Sequence, residues 1–436
     1  MKRVLIVSPH FPPVNAADMQ RVRHSLPYFR KYGWIADVIT VDLDYVESYS
    51  IDTLLNETVP ADVKVHYVKA WDAKKTRKYG LGSLSMRSFF FYKKLGNRLL
   101  KSGDYDLVYF STTAFHVMAL GRYWKEKFGV PFVLDIQDPW RNDFYLDKPK
   151  SQRPPKFRMS YNIDKYLEMY TMKKVDGIIS VSQGYVDTFL QRYPYMRPEQ
   201  FTVIPFGYSI IDFEVMRKSF HSPEVKIPGG KINIVYIGRG GHDMKLAVTC
   251  FFTALNNLVQ KDPSVADKLH CWFIGTSYAM KGRGGKTIKP IADDIGVGEM
   301  VTEITDRVAF FETLYQLDNA DAFFVPGSID TSYTASKIYQ YVLSEKPLLA
   351  IFYRGSSVIS ILEKAGTGTV VTFDESLQYT DDMVKQCENF LTRLLNNEAV
   401  AVKYNRANFA EYSAEAMAKK QVDFFDKIIA AKQEHA

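Results

Sequence analysis

The chain is poor in cysteine and arranges none of it for use. Cys250, Cys271 and Cys387 lie far apart, are odd in number and form no C-x-x-C. That argues against a disulfide framework and a zinc site, and it suits a reducing cytosol. No apolar run approaches the roughly 20 residues of a membrane-spanning helix. The run at residues 4–7 is too short for a signal peptide and reads as a first β-strand. No short-period repeat is present, which sets aside solenoid architectures. Acids are scarce in one stretch: residues 64–101 hold eleven Lys/Arg and a single acid, Asp72.

What is present is a globular composition. The 436 residues are 46% hydrophobic and 24% charged, enough for two domains of about 200 residues, each with its own core. The net charge of +7 is concentrated in residues 64–101, so the remainder is mildly acidic. That segment also carries Trp71, Tyr79 and the run Phe89, Phe90, Phe91, Tyr92. A second basic cluster comprises Lys148, Lys150, Arg153, Lys156 and Arg158. Basic residues interleaved with aromatics point to an anionic membrane surface, or else to a solvated face over a partly buried helix; nucleic acid is disfavoured.

Strand and helix patterns alternate along residues 1–208. Apolar runs at 4–7, 35–41, 107–110, 132–135, 177–181 and 203–204 read as strands, with helices at about 19–32 and 163–174. Residues 209–230 lose the pattern, end in Pro-Gly-Gly and read as a linker. A second series follows over 231–405, with strands expected at 234–237, 270–274, 322–325, 347–352 and 369–371. The tail, 406–436, is helical. Repeated βαβ units with short connections predict an α/β protein with two Rossmann-like, doubly wound sheets. Ligand is expected at the strand carboxyl ends, in a cleft between the halves.

Two stretches carry chemistry. Residues 232–245, INIVYIGRGGHDMK, are a strand and a glycine-rich turn. Gly238, Gly240 and Gly241 allow close backbone approach, and Arg239 and Lys245 can both reach a phosphate. The turn lacks the G-x-G-x-x-G order of dinucleotide sites, and an ordinary βα turn is the plainer reading. Residues 332–347, SYTASKIYQYVLSEKP, follow a buried strand and open an amphipathic helix. Its start, with the cap types Ser332, Thr334 and Ser336, is placed to meet an anion.

Taken together, the strand–Gly–Arg–x5–Lys turn and the helix S-K-I-Y-x-Y-x-x-x-x-K-P resemble the retaining GT-B glycosyltransferases of family 4. FPPVNAADMQRVR, FVLDIQDPW, ISVSQG, VIPFG and NRANFAEYSAEAMAKK fall in the order of that family. The resemblance implies an acceptor-side domain over 1–208, a nucleotide-sugar donor domain over 231–405, and a final helix packing back on the first domain. It implies that Gly238, Arg239, Gly240, Lys245, Ser336 and Lys337 bind the donor diphosphate, without a metal or cofactor. Ser332, Tyr333, Thr334 and Gln340 fall on the nucleoside and sugar side. Ser332 and Gln340 stand where the family has two Glu; Gln340 can bond a diol but offers no carboxylate charge.

Asn15, Ala16, Ala17, Arg21 and Asp135 fall on the acceptor-side loop, with alanines where relatives carry a glycine pair. Asp138 and His116 are the catalytic candidates, although Asp135 suits a structural turn and His116 a helix cap equally well. Asp42 and Asp44 form a D-x-D, which in the other large glycosyltransferase fold binds a metal, but they follow a second strand in the wrong context. The expected activity is transfer of a sugar from a nucleotide-diphosphate sugar to a glycan or lipid-linked glycan acceptor, for surface polysaccharide or glycoconjugate synthesis. The expected location is cytosolic, peripheral at an anionic inner membrane face reached through 64–101. A nucleotide-sugar epimerase and a non-catalytic GT-B binding subunit are the alternatives.

Overall fold

A computed structural model describes residues 1–436 except 48–49, 80–81, 155, 331–336, 399–402 and 434–436. The chain divides into two compact units: unit 1 is Met1–Ser209 with Tyr412–Ala436, and unit 2 is Ile210–Glu411.

Unit 1 has strands β1 (Lys2–Val7), β2 (Trp34–Val41), β3 (Lys64–Val68), β4 (Leu107–Ser111), β5 (Phe132–Ile136), β6 (Gly177–Ser180) and β7 (Phe201–Val203). Its main helices are α1 (Gln20–Phe29), α2 (Leu84–Leu100), α3 (Ala119–Phe128), α4 (Phe157–Met172) and α5 (Gln183–Arg192). The strands are all parallel, in the order β3-β2-β1-β4-β5-β6-β7. This is the doubly wound order that reverses beside β1, so loops diverge at the carboxyl ends of β1 and β4. Alternation along each strand sorts the core into two faces. Leu5, Val7, Phe110, Phe132 and Leu134 pack with Tyr92 of α2 and Trp124 of α3. Val4, Ile6, Tyr109 and Val133 pack with Val22 and Leu26 of α1 and with Val422 and Phe425. Burying each such side chain contributes about 1.5–3 kcal/mol.

Unit 2 repeats the plan. Its strands are β8 (Ile232–Ile237), β9 (Leu269–Ile274), β10 (Val301–Ile304), β11 (Ala322–Pro326), β12 (Leu348–Tyr353) and β13 (Thr369–Phe373), parallel in the order β10-β9-β8-β11-β12-β13. Its helices include α6 (Ile210–Ser219), α7 (Lys245–Lys261), α8 (Lys289–Ile295), α9 (Phe310–Asn319), α10 (Ile338–Leu343), α11 (Ser357–Ala365) and α12 (Asp381–Leu395). The last helix, α13 (Ala414–Gln433), returns to unit 1. Its Phe425 ring lies 5.5 Å from Trp34 and 5.0 Å from Tyr109, and its buried Gln421 amide donates to Ser25 at 2.6 Å.

The expected linker at 209–230 differs from what is found. Its first half is α6, held to α9 by Arg217–Asp318 at 2.6 Å and by the Phe220 ring, just past its end, tilted against Tyr315 at 5.5 Å. The local pattern is weak because this helix is stabilised by a partner about 100 residues away. Residues 220–230 do lack regular structure. Strand β10 is an element the apolar pattern does not announce. Among its four residues is the buried acid Glu303, which accepts from the Thr276 hydroxyl at 2.7 Å and from the backbone N–H groups of Thr287, Ile288 and Lys289.

Candidate donor and acceptor sites

In unit 2, β8 ends in the glycine turn. A Cβ on Gly238 would strike the Tyr236 hydroxyl, and one on Gly240 would lie 2.5 Å from the Thr287 Oγ1. Glycine is thus required for packing at both positions. Arg239 is aimed by Asp243, which accepts from its Nη1 at 3.0 Å and its Nη2 at 2.7 Å. Asp243 also accepts from the Ser328 hydroxyl. The Arg239 hydrogen bond, outweighing partial burial, holds its carboxyl below the ordinary carboxylate value. Lys245 opens α7 and is exposed, beside His242 on the wall of a cavity of about 560 Å³.

Helix α10 is clamped to the same strand end. The Tyr341 hydroxyl accepts from the Ile237 N–H at 2.8 Å and lies 3.2 Å from the Ile237 carbonyl. Lys337 Nζ lies 3.4 Å from that carbonyl. Burial pushes the Lys337 ammonium down to about 8, and repulsion from Arg307 adds to it. The structure therefore brings Arg239, Lys337 and the Gly238–Gly240 turn together, with Lys245 at the start of the next helix. The Gln340 Oε1 is buried without a hydrogen-bond partner among the described residues. Ser332, Tyr333, Thr334 and Ser336 lie outside the described residues.

In unit 1, polar residues at the carboxyl strand ends are bonded to one another. Asp135 and Arg21 are both fully buried and pair at 2.9 Å. Asp135 also accepts from Ser111 and Gln137, each at 2.7 Å, while Arg21 donates to the Ile204 carbonyl at 2.7 Å and lies over the Phe206 ring. These two residues hold the loop to the core and present nothing to an acceptor. Asn15 pairs with Ser50 in a two-residue strand, Ala16 is buried, and Ala17 begins the turn before α1. Asp138 is exposed at the end of the same connection. The crowded protein around it, and then the Asp18 carboxylate, raise its carboxyl above the ordinary value.

His116 has both ring nitrogens engaged: Nδ1 is 2.6 Å from the Ser85 hydroxyl at the start of α2, and Nε2 is 3.0 Å from Asp164 on α4. It joins two helices. A cavity of about 470 Å³ opens there, lined by residues including His10, Glu47, Arg77, Ser85, His116 and Trp140. Glu47 and Arg77 pair at 2.7 Å, and Trp140 stacks on Phe115 with centroids 5.9 Å apart.

Some contributors go unmarked in the sequence reading. His10 Nδ1 lies 2.9 and 3.0 Å from the two oxygens of buried Asp18, which also accepts from Thr112 Oγ1 at 2.8 Å and the Thr113 N–H at 3.0 Å. Burial alone would raise the Asp18 carboxyl, but the His10 hydrogen bond and charge, with the Thr113 and Thr112 bonds, bring it below the ordinary value. The position of His10, three residues past the end of β1 and before Phe-Pro-Pro, is the available signal. Asp243 lies four residues after Arg239 in the turn before α7, where the fold of that turn and not helical spacing brings the pair together. Arg307 carries no cue of its own. The basic segment divides: Tyr92 is buried and Phe89 and Phe91 pack on the core, whereas Trp71 and Phe90 are exposed. No described helix is long and apolar enough to cross a membrane.

Comparison with known proteins agrees with this architecture. Residues 52–210 match the family model described as Glycosyltransferase Family 4. No curated protein matches the chain at a significant level. Among solved structures, sucrose-phosphate synthase from Thermosynechococcus elongatus is similar at 14% identity and TM-score 0.56, with 99% of this chain and 100% of that one covered. TarM from S. aureus, in complex with fondaparinux, alpha-GlcNAc-glycerol and UDP, is similar at 12% identity and TM-score 0.54, covering 98% and 100%. A putative UDP-N-acetylglucosamine 2-epimerase from Listeria monocytogenes is similar at 13% identity and TM-score 0.50, covering 97% and 95%. The two doubly wound units thus share the two-domain fold of these solved structures over the full chain, and the first unit carries the match to the family 4 model.

Proposed function

We propose that the protein transfers a sugar from a nucleotide-diphosphate sugar to a glycan or lipid-linked glycan acceptor, with retention at the anomeric carbon. The observation that carries the donor side is the group of cations at the end of β8: Arg239 held by Asp243, and Lys337 beside the Ile237 carbonyl with Arg307 near it. Cations in a partly buried site stabilise the charge that develops on a departing diphosphate. In this reading Arg239, Lys245 and Lys337 serve the role that a metal ion serves elsewhere. Gln340 bonds the ribose or sugar hydroxyls, its buried Oε1 accepting from one of them. The acceptor belongs to unit 1. The paired charges and stacked Trp140 and Phe115 beside its cavity suit a neutral saccharide unit, with Asp138, exposed just past the end of β5, as the candidate acid or base.

The test is titration of purified protein with UDP, GDP and ADP and their sugars. A charge-assisted phosphate contact contributes about 1.5–3 kcal/mol, so Arg239→Ala and Lys245→Ala are each expected to weaken binding about 10- to 100-fold. Equal affinity after both changes removes the donor site from this turn. Incubating donor sugar without acceptor separates transfer from epimerisation, since free epimerised sugar belongs only to the latter. Donor binding without transfer to any acceptor would support the non-catalytic subunit, which the replacement of a Glu by Gln340 favours. The same proposal places the protein on the cytosolic face of an anionic membrane, with residues 64–101 against it. Binding to anionic vesicles should then fall with salt and with Gln at Lys93, Lys94 and Arg98.

A further inference from the structure

The connection from β5 to α4 and the outer face of α4 form a second apolar and basic surface on unit 1. Helix α4 is fixed by its inner face. Glu168 is fully buried there and accepts from Arg192 and the Tyr193 hydroxyl at 2.7 Å each, and from the Arg141 N–H at 2.9 Å. The opposite face carries Arg158, Met159, Asn162, Lys165, Tyr166 and Met169, all exposed. At 100° per residue these six positions fall within about 120° of arc. Met159 is 46% exposed and Tyr166 61%.

The preceding turn extends this stripe. Phe144 is 62% exposed, and Leu146 is exposed beside it. Ring contacts join turn and helix: Phe144 to Tyr145 at 5.1 Å, Tyr145 to Phe157 at 5.8 Å, and Phe157 to Tyr161 at 5.6 Å. Arg153 ties the loop down by donating to the Leu146 carbonyl at 2.6 Å and the Lys148 carbonyl at 2.7 Å.

The charge around the apolar groups is mainly positive. Lys150, Lys156, Arg158 and Lys165 are exposed, Lys148 sits over the Phe144 ring, and none of the five has an ion pair among the described residues. The acids of the segment are otherwise occupied. Asp143 is bound by Arg141 and Arg192, Asp164 by His116, and Glu168 is buried, which leaves Asp147 as the exposed acid. Five apolar side chains close together on a surface mark an interaction site. Cations around them select an anionic partner. Two flexible methionines adapt to a partner without fixed shape, such as acyl chains.

We infer that residues 144–169 form a docking surface for an anionic lipid bilayer. Phe144, Leu146, Met159, Tyr166 and Met169 enter the interface, and Lys148, Lys150, Lys156, Arg158 and Lys165 meet the headgroups. This surface is made of residues other than 64–101, and it requires no assumption about the reaction.

The test is flotation of the full-length protein with phosphatidylcholine vesicles containing about one-third phosphatidylglycerol, without nucleotide. Each cation near the surface contributes about five-fold, so the triple change Lys150→Gln, Arg158→Gln, Lys165→Gln should weaken binding on the order of 100-fold. Met159→Ser with Tyr166→Ser should remove the part of binding that survives high salt. Tyr166→Trp adds a second readout: its emission, read as a difference from the parent, should be quenched by brominated lipid. All positions are exposed, and melting temperature verifies folding. The inference is overturned if the parent ignores anionic vesicles, if both variants bind as the parent does, or if only the changes at Lys93, Lys94 and Arg98 matter. It is equally overturned if these variants lose affinity for an RNA or a protein while lipid binding is unchanged.

Discussion

Asp135 in unit 1 is surrounded by Arg21, Ser111 and Gln137, whereas Lys337 in unit 2 has a backbone carbonyl and the like charge of Arg307. Both lie near carboxyl ends of parallel strands, the place where such folds bind ligands. In unit 1 the strand-end acid and base pair with one another, although Asp135 Oδ1 and Arg21 Nη1 are buried without a hydrogen-bond partner among the described residues. At the end of β8 in unit 2, Arg239 is paired with Asp243, while Lys245, Lys337 and Arg307 have no ion pair among the described residues. A wall of balanced pairs suits a neutral molecule, and a group of cations suits an anion. The two sites differ in electrostatics even though their sheets share one strand order.

The largest effect that would break this comparison concerns the unit 1 pair. Removing one partner leaves a buried charge alone, so Asp135→Ala or Arg21→Ala should cost about 3–5 kcal/mol in urea denaturation. The double change Asp135→Leu, Arg21→Met should recover much of that loss. A single variant within about 1 kcal/mol of the parent would mean that the pair is not the internal scaffold described.

Next comes Lys337. Its ammonium is pushed from the ordinary 10.5 down to about 8, so its charge opposes folding below that pH. Stability should rise as pH climbs through 8 toward 10.5, and Lys337→Met should remove the rise. A diphosphate placed beside it would restore the proton. At pH 8.5 nucleotide binding should take up as much as about three-quarters of a proton, seen as a dependence of calorimetric heat on the buffer. Heat independent of buffer would place the phosphates elsewhere.

A smaller effect is expected at Asp18. Its depressed carboxyl contributes stability that is present above the ordinary 3.8 and is lost as pH falls through the folded value. Asp18→Asn should flatten the acid limb of the stability curve and cost about 1–3 kcal/mol at pH 7. The smallest is Ser85→Ala, which removes one bond to His116 and should cost about 1 kcal/mol. A change in stability without loss of activity would sharpen the view that His116 joins α2 to α4 and does not act on substrate.

Most of the architecture was legible because parallel strands buried on both faces read as apolar runs, as at residues 4–7 and 322–325. Strand β10 was not, because Glu303 is polar in sequence and becomes acceptable in the core only through Thr276 and the start of α8. Helix α6 was hidden for a related reason, its stability coming from α9. At the site, motif spacing located the loop of Arg239 and the segment of Lys337. It did not disclose that Arg307 approaches Lys337 or that Asp135 is spent on Arg21. Those facts depend on residues more than 25 positions apart meeting in space.

Helix α13 gives the chain a particular order of assembly. Unit 2 is inserted, in covalent terms, between the first 209 residues and the segment that completes their core. During synthesis, β1, β2 and β4 emerge early, but the apolar face destined for Phe425 and Ile428 stays uncovered until some 200 further residues are made. Unit 2 therefore has all of its own elements while unit 1 still awaits its last helix. Stop codons or proteolytic cuts near residue 412 should harm unit 1 more than unit 2, whose elements all precede that point.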